Sequence, residues 1–148
     1  MLRTMDNMST WDSFKIAQDS VYADVISELK DGKKQSHWMW FIFPQITGLG
    51  SSSISLRYGI PNLKSAKMYL DEQSLAIRLE ECTKLVLSYK NIPLVDIFGE
   101  IDSLKFRSSM TLFDLAKNDS IYEEALSSCC DGLRCEKTLF ILKDKILK

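Results

Sequence analysis

The sequence lacks an excess of charge of either sign, because its 19 lysines and arginines nearly balance its 20 aspartates and glutamates. Proteins that bind nucleic acid or anionic membranes usually need a strongly basic surface. The sequence also lacks a long apolar run. A membrane-spanning helix needs about 20 apolar residues, and residues 38–43, the longest candidate, are far fewer. We therefore predict that the protein has neither a nucleic-acid partner nor a membrane partner.

Metal-ligating residues are scarce, and their spacing does not suit a metal. The only histidine is His37. The four cysteines are Cys82, Cys129, Cys130 and Cys135. No two of them form the Cys-x-x-Cys pair typical of zinc sites. We predict no metal site, no cofactor and four free thiols. Because residues 1–14 do not resemble a signal peptide, the expected location is the reducing cytoplasm.

Glycine-rich phosphate loops are also missing. Gly48 and Gly50 have no third glycine at the required offset, and no Lys-Ser or Lys-Thr pair follows them. Residues 47–53 combine these glycines with three consecutive serines, which predicts a loop. Such a loop either connects two helices or closes over a ligand.

Apolar residues at helical spacing dominate what the sequence does contain. We predict an all-α fold, a single compact multi-helix domain of roughly seven helices over residues 9–148, after a disordered N-terminal tail at residues 1–8. Residues 38–46 alone have strand character, and the sequence offers that strand no partner. The predicted helices are residues 9–30, 62–70, 74–89, a helix capped by Asp102 or Ser103 that ends at Ala116, 120–130 and 136–147.

The most unusual segment is SHWMWFIFPQ, residues 36–45, which holds the only histidine and two of the three tryptophans. Aromatic side chains this dense must be covered by the fold or by a ligand. Trp38 and Trp40 can therefore belong to the core or line a pocket for a flat ring. Gln45 can read the edge of such a ring or cap the next turn.

A second unusual segment is LKFRSSMTLF, residues 104–113, where cations and hydroxyls recur at helical spacing. Lys105 and Ser109 are four residues apart, as are Arg107 and Thr111. Cations beside hydroxyls can hold a phosphate or a carboxylate. The alternative is a solvated helix face whose hydroxyls bond back to the preceding turn.

His37 is open to three interpretations. It can act as a general acid or base, because an unperturbed histidine titrates near neutrality. It can orient a ligand without titrating. It can also be a structural histidine under the tryptophans. A lone histidine does not decide between these roles.

Together, the two segments, the RYGI sequence of residues 57–60 and the Phe98-Gly99 pair resemble domain-of-unknown-function family 1810. Its members are small, mainly bacterial all-α proteins, some of them labelled calpastatin-like. The resemblance extends from about Phe14 to Leu142 and implies the all-α fold. It also implies that the polar positions of the two segments meet at one site, because a shared core does not require them.

We therefore hypothesise a cytoplasmic protein with a pocket for a small anionic, nucleotide-like ligand, which it binds or hydrolyses. His37 is the catalytic candidate. The predicted ligand-binding residues are Trp38, Trp40, Gln45, Arg57, Tyr58, Lys105, Arg107, Ser108, Ser109 and Thr111. The alternative is a non-catalytic interaction module that seats a partner on the Trp/Phe block. The sequence determines neither whether the protein is an enzyme nor its oligomeric state.

Overall fold

The computed structural model describes residues 11–147, and side chains up to residue 144, so the predicted tail at residues 1–8 lies outside it. Over this range the protein has eight helices and no strand, which confirms the all-α prediction. None of these helices has both the length and the apolar character needed to cross a membrane. The helices are α1 Asp12–Lys30, α2 Met39–Ile42, α3 Ser53–Arg57, α4 Leu63–Asp71, α5 Gln73–Leu87, α6 Leu94–Ala116, α7 Ile121–Cys129 and α8 Glu136–Leu147.

Helix α6 occupies the centre of the fold and packs against α2, α4, α7 and α8. Every residue from 108 to 114 is buried, including three hydroxyl-bearing residues and one aspartate. Aromatic rings pack against this helix. Phe106 lies 5.0 Å from Phe43 between ring centroids, and Phe113 lies 5.3 Å from Tyr69. The polar residues of α6 therefore need partners inside the protein.

Helix α6 begins earlier than the sequence predicts and contains a break. We expected a cap at Asp102 or Ser103, but the helix begins at Leu94, and its backbone departs from helical geometry at Gly99. Gly99 has a φ of 81°, a conformation that glycine adopts without strain. The hydroxyl of Ser103 donates to the carbonyl of Gly99 at 2.6 Å. Ser103 thus bonds back across the break instead of capping a helix start.

The aromatic block, residues 36–45, is largely covered by the fold. Trp38, Met39, Phe41, Ile42 and Phe43 are all buried, Trp38 being only 1% exposed. Residues 39–42 form the short helix α2, so the strand character predicted for residues 38–46 is mostly wrong.

One backbone pairing remains from that predicted strand. Ile46 and Ile60 form an isolated parallel bridge, because Thr47 N–H donates to Ile60 O at 2.9 Å and Ile60 N–H donates to Gln45 O at 2.8 Å. Gly59 beside the bridge must be a glycine, since a β-carbon there would collide with Thr47. The sequence could not show this pairing because the partner is a single residue in another loop.

The carboxylate of Glu28 on α1 holds the entry to the aromatic block. It accepts hydrogen bonds from Gln35 N–H at 2.6 Å, from Ser36 N–H at 2.9 Å and from the indole Nε1–H of Trp38 at 3.0 Å. It also accepts a bond from the Ser36 hydroxyl. Partial burial favours the protonated acid, but these donors outweigh it and lower the pKa of Glu28 to about 2.

The Glu28→Gln substitution should therefore lower the free energy of unfolding by about 1–3 kcal/mol at pH 7, since it neutralises an acceptor of several hydrogen bonds. The stabilisation by the Glu28 carboxylate is fully present above the pKa that Glu28 has in the unfolded chain. It is lost as the pH falls through the lower pKa that Glu28 has in the folded protein. The difference between wild type and variant should thus shrink between pH 4.5 and about 2, as measured by urea unfolding. Glu80→Gln, which loses only an exposed pair with Lys84, is the control. An equal cost for both variants would contradict this role of Glu28.

Candidate functional site

The main candidate site is a cavity of about 510 Å³ between α6, the start of α8 and the end of the aromatic block, here called the α6–α8 cavity. Its lining combines apolar residues with four basic side chains. The lining residues are Trp40, Gln45, Leu49, Ile101, Leu104, Lys105, Arg107, Ser108, Leu133, Arg134, Cys135, Glu136 and Lys137.

Five of the predicted ligand-binding residues meet at this cavity. They come from the two segments that the sequence singled out, which lie about sixty positions apart. The five are Trp40, Gln45, Lys105, Arg107 and Ser108. The structure thus brings part of each segment to one cavity.

His37 and Trp38 line a second cavity of about 220 Å³ that shares Trp40 and Lys105 with the first. His37 is exposed, whereas Trp38 is buried with its indole nitrogen bonded to Glu28. Trp38 therefore acts as part of the core, and its ring is not available for stacking against a ligand. His37 lies at the edge of the neighbouring cavity rather than in the α6–α8 cavity.

The remaining predicted residues do not line either cavity. Tyr58 is buried against Phe14 and Phe41, and the guanidinium of Arg57 lies 5.4 Å from the ring centroid of Tyr58. Ser109 is fully buried. These residues belong to the core or its margin, and the structure does not bring them to the predicted site.

Thr111 contributes indirectly, because it fixes the start of α8. Its hydroxyl donates to Arg107 O at 2.8 Å and accepts from the backbone N–H of Cys135 at 2.9 Å. Both groups lie on the cavity wall. Thr111 therefore positions one side of the cavity against the other without lining it.

The ammonium of Lys105 lies 4.3 Å from the ring centroid of Trp40, a cation–π contact that holds both side chains at the cavity wall. Lys105 also lies 3.2 Å from Asp102, which pairs with Lys34 at 2.8 Å. Burial favours protonated Asp102, but the two ammonium groups outweigh it and lower its pKa. The single carboxylate of Asp102 thus pairs with two ammonium groups, so the three side chains together carry a net positive charge.

Two hydrogen-bond donors in the cavity lining have no partner among the described residues. They are the side-chain amide nitrogen of Gln45, a residue only 4% exposed, and Nε of Arg107. Buried donors are nearly always satisfied, and one left without a partner costs about 1–3 kcal/mol. Both donors belong to residues that line the α6–α8 cavity.

The lining also includes residues from the start of α8 that sequence reasoning did not select. Arg134 pairs with the buried carboxylate of Asp114. The thiol of Cys135 lies 3.2 Å from Ser108 Oγ, at the N-terminal end of α8. A cysteine just before a predicted helix is a known signal for a reactive thiol. That signal was present at residues 135–136 and could have been used.

Among residues 11–147, no cluster of three or more histidine, cysteine, aspartate or glutamate side chains could hold a metal ion. All four cysteines are free thiols. What the α6–α8 cavity can offer a ligand is therefore positive charge, hydrogen-bond donors, one indole ring and one thiol.

Comparison with known proteins gives a family and a fold. The model of the family described as Protein of unknown function (DUF1810) matches residues 9–142. The crystal structure of the conserved hypothetical protein Rv1873 from Mycobacterium tuberculosis superposes with a TM-score of 0.87 at 42% sequence identity. The match covers 89% of this chain and 95% of that one. No curated protein matches the sequence.

The Thr111→Val substitution tests the link between α6 and α8. Valine keeps the shape but leaves the backbone N–H of Cys135 without its acceptor, so the free energy of unfolding should fall by about 1–3 kcal/mol. Thr83→Val is the matched control, because Thr83 is also a fully buried helical threonine but bonds only to Leu79 O in its own helix. Urea unfolding should show the larger loss for Thr111→Val. Equal losses would mean that Thr111 does not fix the start of α8.

Proposed function

This chain belongs to the DUF1810 family of unknown function, and we propose that it binds a small anionic ligand in the α6–α8 cavity. The observation that carries the proposal is the pair of unpartnered donors, the Gln45 amide and Arg107 Nε, on the wall of a basic cavity. Both groups can only donate a hydrogen bond, so their natural partner is an oxygen acceptor. A carboxylate or phosphate supplies several such acceptors.

The charges around the cavity support an anion rather than a neutral molecule. Four basic side chains line it, against the single carboxylate of Glu136. Carboxylates outside the lining pair with Lys105 and Arg134. No described carboxylate pairs with Arg107, whose Nε has no partner and whose side chain also hydrogen-bonds to Cys130. Arginine suits a planar or tetrahedral anion because its donors are held in a fixed fork. Arg107 is therefore the proposed centre of the anion site.

The nucleotide-like part of the hypothesis depends on Trp40. Its ring lines the cavity, but Lys105 already lies over one of its faces. A base that stacks on this face must displace the lysine, whereas a base on another part of the ring need not. We propose a small phosphorylated or carboxylated compound as the ligand class, with a nucleotide as one member of that class. The expected cytoplasmic location fits four free thiols.

Most of the rings proposed for the interaction-module alternative are buried. Trp38, Phe41 and Phe43 are covered by the protein itself, and Trp40 faces the cavity. A partner protein cannot seat on rings that the core already buries. The anion-binding proposal is therefore the one that the geometry favours.

Binding can be measured by calorimetry and thermal unfolding with inorganic phosphate, adenosine monophosphate, ADP-ribose and a sugar phosphate. A ligand present at 100 times its dissociation constant should add about 2.7 kcal/mol to the free energy of unfolding. Arg107→Met should weaken binding by about tenfold or more, because it removes a charged donor. Lys84→Met, a substitution of an exposed lysine on α5, is the control and should not change affinity. Absence of a shift with every compound would count against the proposal.

The two buried glutamines provide a sharper test, because their substitutions should change stability in opposite directions. Gln45→Met removes an unpartnered amide, so it should raise the free energy of unfolding of the ligand-free protein by about 1 kcal/mol while weakening anion binding. Gln18→Met should instead destabilise by about 1–3 kcal/mol, since the Gln18 amide donates to Phe41 O at 2.7 Å and to Tyr69 Oη at 3.2 Å. Chemical unfolding measures both. A loss of stability in Gln45→Met would show that the amide is satisfied in the ligand-free protein.

A further inference from the structure

The α6–α8 cavity contains a thiol that the proposed anion site does not itself require. Cys135 immediately precedes α8 and is half-buried, with its side chain in the cavity lining. Its backbone carbonyl accepts the N–H of Leu139 at 3.1 Å, so it occupies the cap position of the helix. The N-terminal end of a twelve-residue helix carries partial positive charge, which stabilises a thiolate.

Hydrogen-bond donors surround the sulfur of Cys135. The hydroxyl oxygen of Ser108 lies 3.2 Å from it, and the backbone N–H groups of Lys137 and Thr138 also contact it. Burial alone would favour the neutral thiol, but these donors outweigh it and lower the pKa of Cys135.

The unpartnered amide of Gln45 is an independent observation that points to a ligand beside this thiol. Gln45 lines the same cavity as Cys135, and only 4% of its surface is exposed. The cavity thus combines a thiol at a helix N-terminus, an unpartnered amide and basic side chains. An anionic ligand bound there lies next to a nucleophile.

The surroundings of Cys135 restrict the chemistry that it can perform. The titratable groups that line the cavity with it are Lys105, Arg107, Arg134, Glu136 and Lys137. No imidazole is among them, since His37 lines the neighbouring cavity. Acyl transfer to the thiol usually needs a proton donor for the leaving group. Thiol–disulfide exchange does not, because the leaving group is a thiolate that is stable near neutral pH.

We propose that Cys135 is the attacking thiolate of a thiol–disulfide exchange site for small disulfides that carry carboxylates. The proposal rests on the anion-binding function given above, because the same basic lining would hold the carboxylates. The sulfur of Cys135 attacks one sulfur of the bound disulfide and forms a new S–S bond. The S–S bond of the disulfide breaks, and its other half leaves as a thiolate that takes a proton from water. Neither a further oxidant nor a further reductant is needed.

Cys129 provides a matched control within the same chain. It is half-buried and solvent-accessible in part, as Cys135 is, but it lies on α7 outside the α6–α8 cavity lining. Burial raises the pKa of Cys129 to about 11, with a smaller contribution from Cys130. Cys82 and Cys130 are buried, so they should react more slowly than either.

The experiment treats the full-length protein with oxidised glutathione, which carries carboxylates, or with hydroxyethyl disulfide, which is neutral. Peptide mass spectrometry then measures the rate at each cysteine. Cys135 should react with oxidised glutathione about tenfold or more faster than Cys129, because its larger thiolate fraction outweighs its lower intrinsic nucleophilicity. The preference of Cys135 for oxidised glutathione over the neutral disulfide should exceed that of Cys129 and should fall as salt is added.

Two variants identify the source of that preference. Arg107→Met should reduce the rate with oxidised glutathione several-fold more than it reduces the rate with hydroxyethyl disulfide. Lys137→Met should have the same effect. Because Lys137 is exposed at the start of α8, this variant should fold even if the Arg107 variant does not. Cys135→Ser should abolish the rapid reaction at this position with both disulfides.

The outcomes separate the two proposals. If Cys135 reacts no faster than Cys129 although phosphate binding is measured, the exchange site is disproved and the anion site stands. If Cys135 is fast but shows no preference for oxidised glutathione, the exchange proposal is overturned as stated, and anion binding in the cavity is contradicted as well. A fast, charge-selective and salt-sensitive reaction at Cys135 supports both.

Discussion

The burial of α6 on nearly every side is the constraint from which the rest of the site follows. A helix that is buried from residue 108 to residue 114 cannot expose its polar side chains to bulk water. Most of them therefore find a partner inside the protein or lie on a cavity wall, whereas the buried hydroxyl of Ser109 has no partner among the described residues. Thr111 bonds to the backbone of Cys135, Asp114 pairs with Arg134, and Ser108 contacts the Cys135 thiol. All three partners lie in the segment that leads into α8. The polar groups of one central helix thus determine where the last helix begins, and the space between the two is the α6–α8 cavity.

The aromatic block also contributes to the lining of this cavity. Most of its rings are covered by the core, and Glu28 fixes the chain where it enters the block. The chain then leaves the block through Gln45, which lies beside the cavity and next to the isolated bridge at Ile46. Trp40 is only half-buried and meets Lys105 across the cavity wall. A segment that is mostly structural therefore contributes two residues to the site at the points where it emerges from the core.

The sequence predicted the fold class and most helices well, because helical periodicity and capping residues are local signals. Helices α4 and α7 begin after Asn62 and Ser120, whose side chains accept backbone hydrogen bonds as expected of caps. The start of α6 at Leu94 was missed. The hydroxyl of Ser103 bonds back to the Gly99 carbonyl, and serine is a residue type that also caps helix starts. The site was predicted in part for a related reason. Spacing shows that Lys105, Arg107 and Thr111 share a helix, but it does not show whether a given side chain faces a cavity, the core or a neighbouring backbone.

By itself, the sequence determined that this is an all-α protein and that two distant segments of it contain the unusual polar residues. Those features are properties of residue type and of spacing along one helix, and they hold before the chain is folded. Only the tertiary structure decided that Trp38 and Tyr58 are core residues, that the amide of Gln45 has no partner and that Cys135 faces the basic wall. These are contacts between elements far apart in the chain. Their geometry depends on how α6, α8 and the aromatic block pack together, and no local pattern in the sequence encodes it.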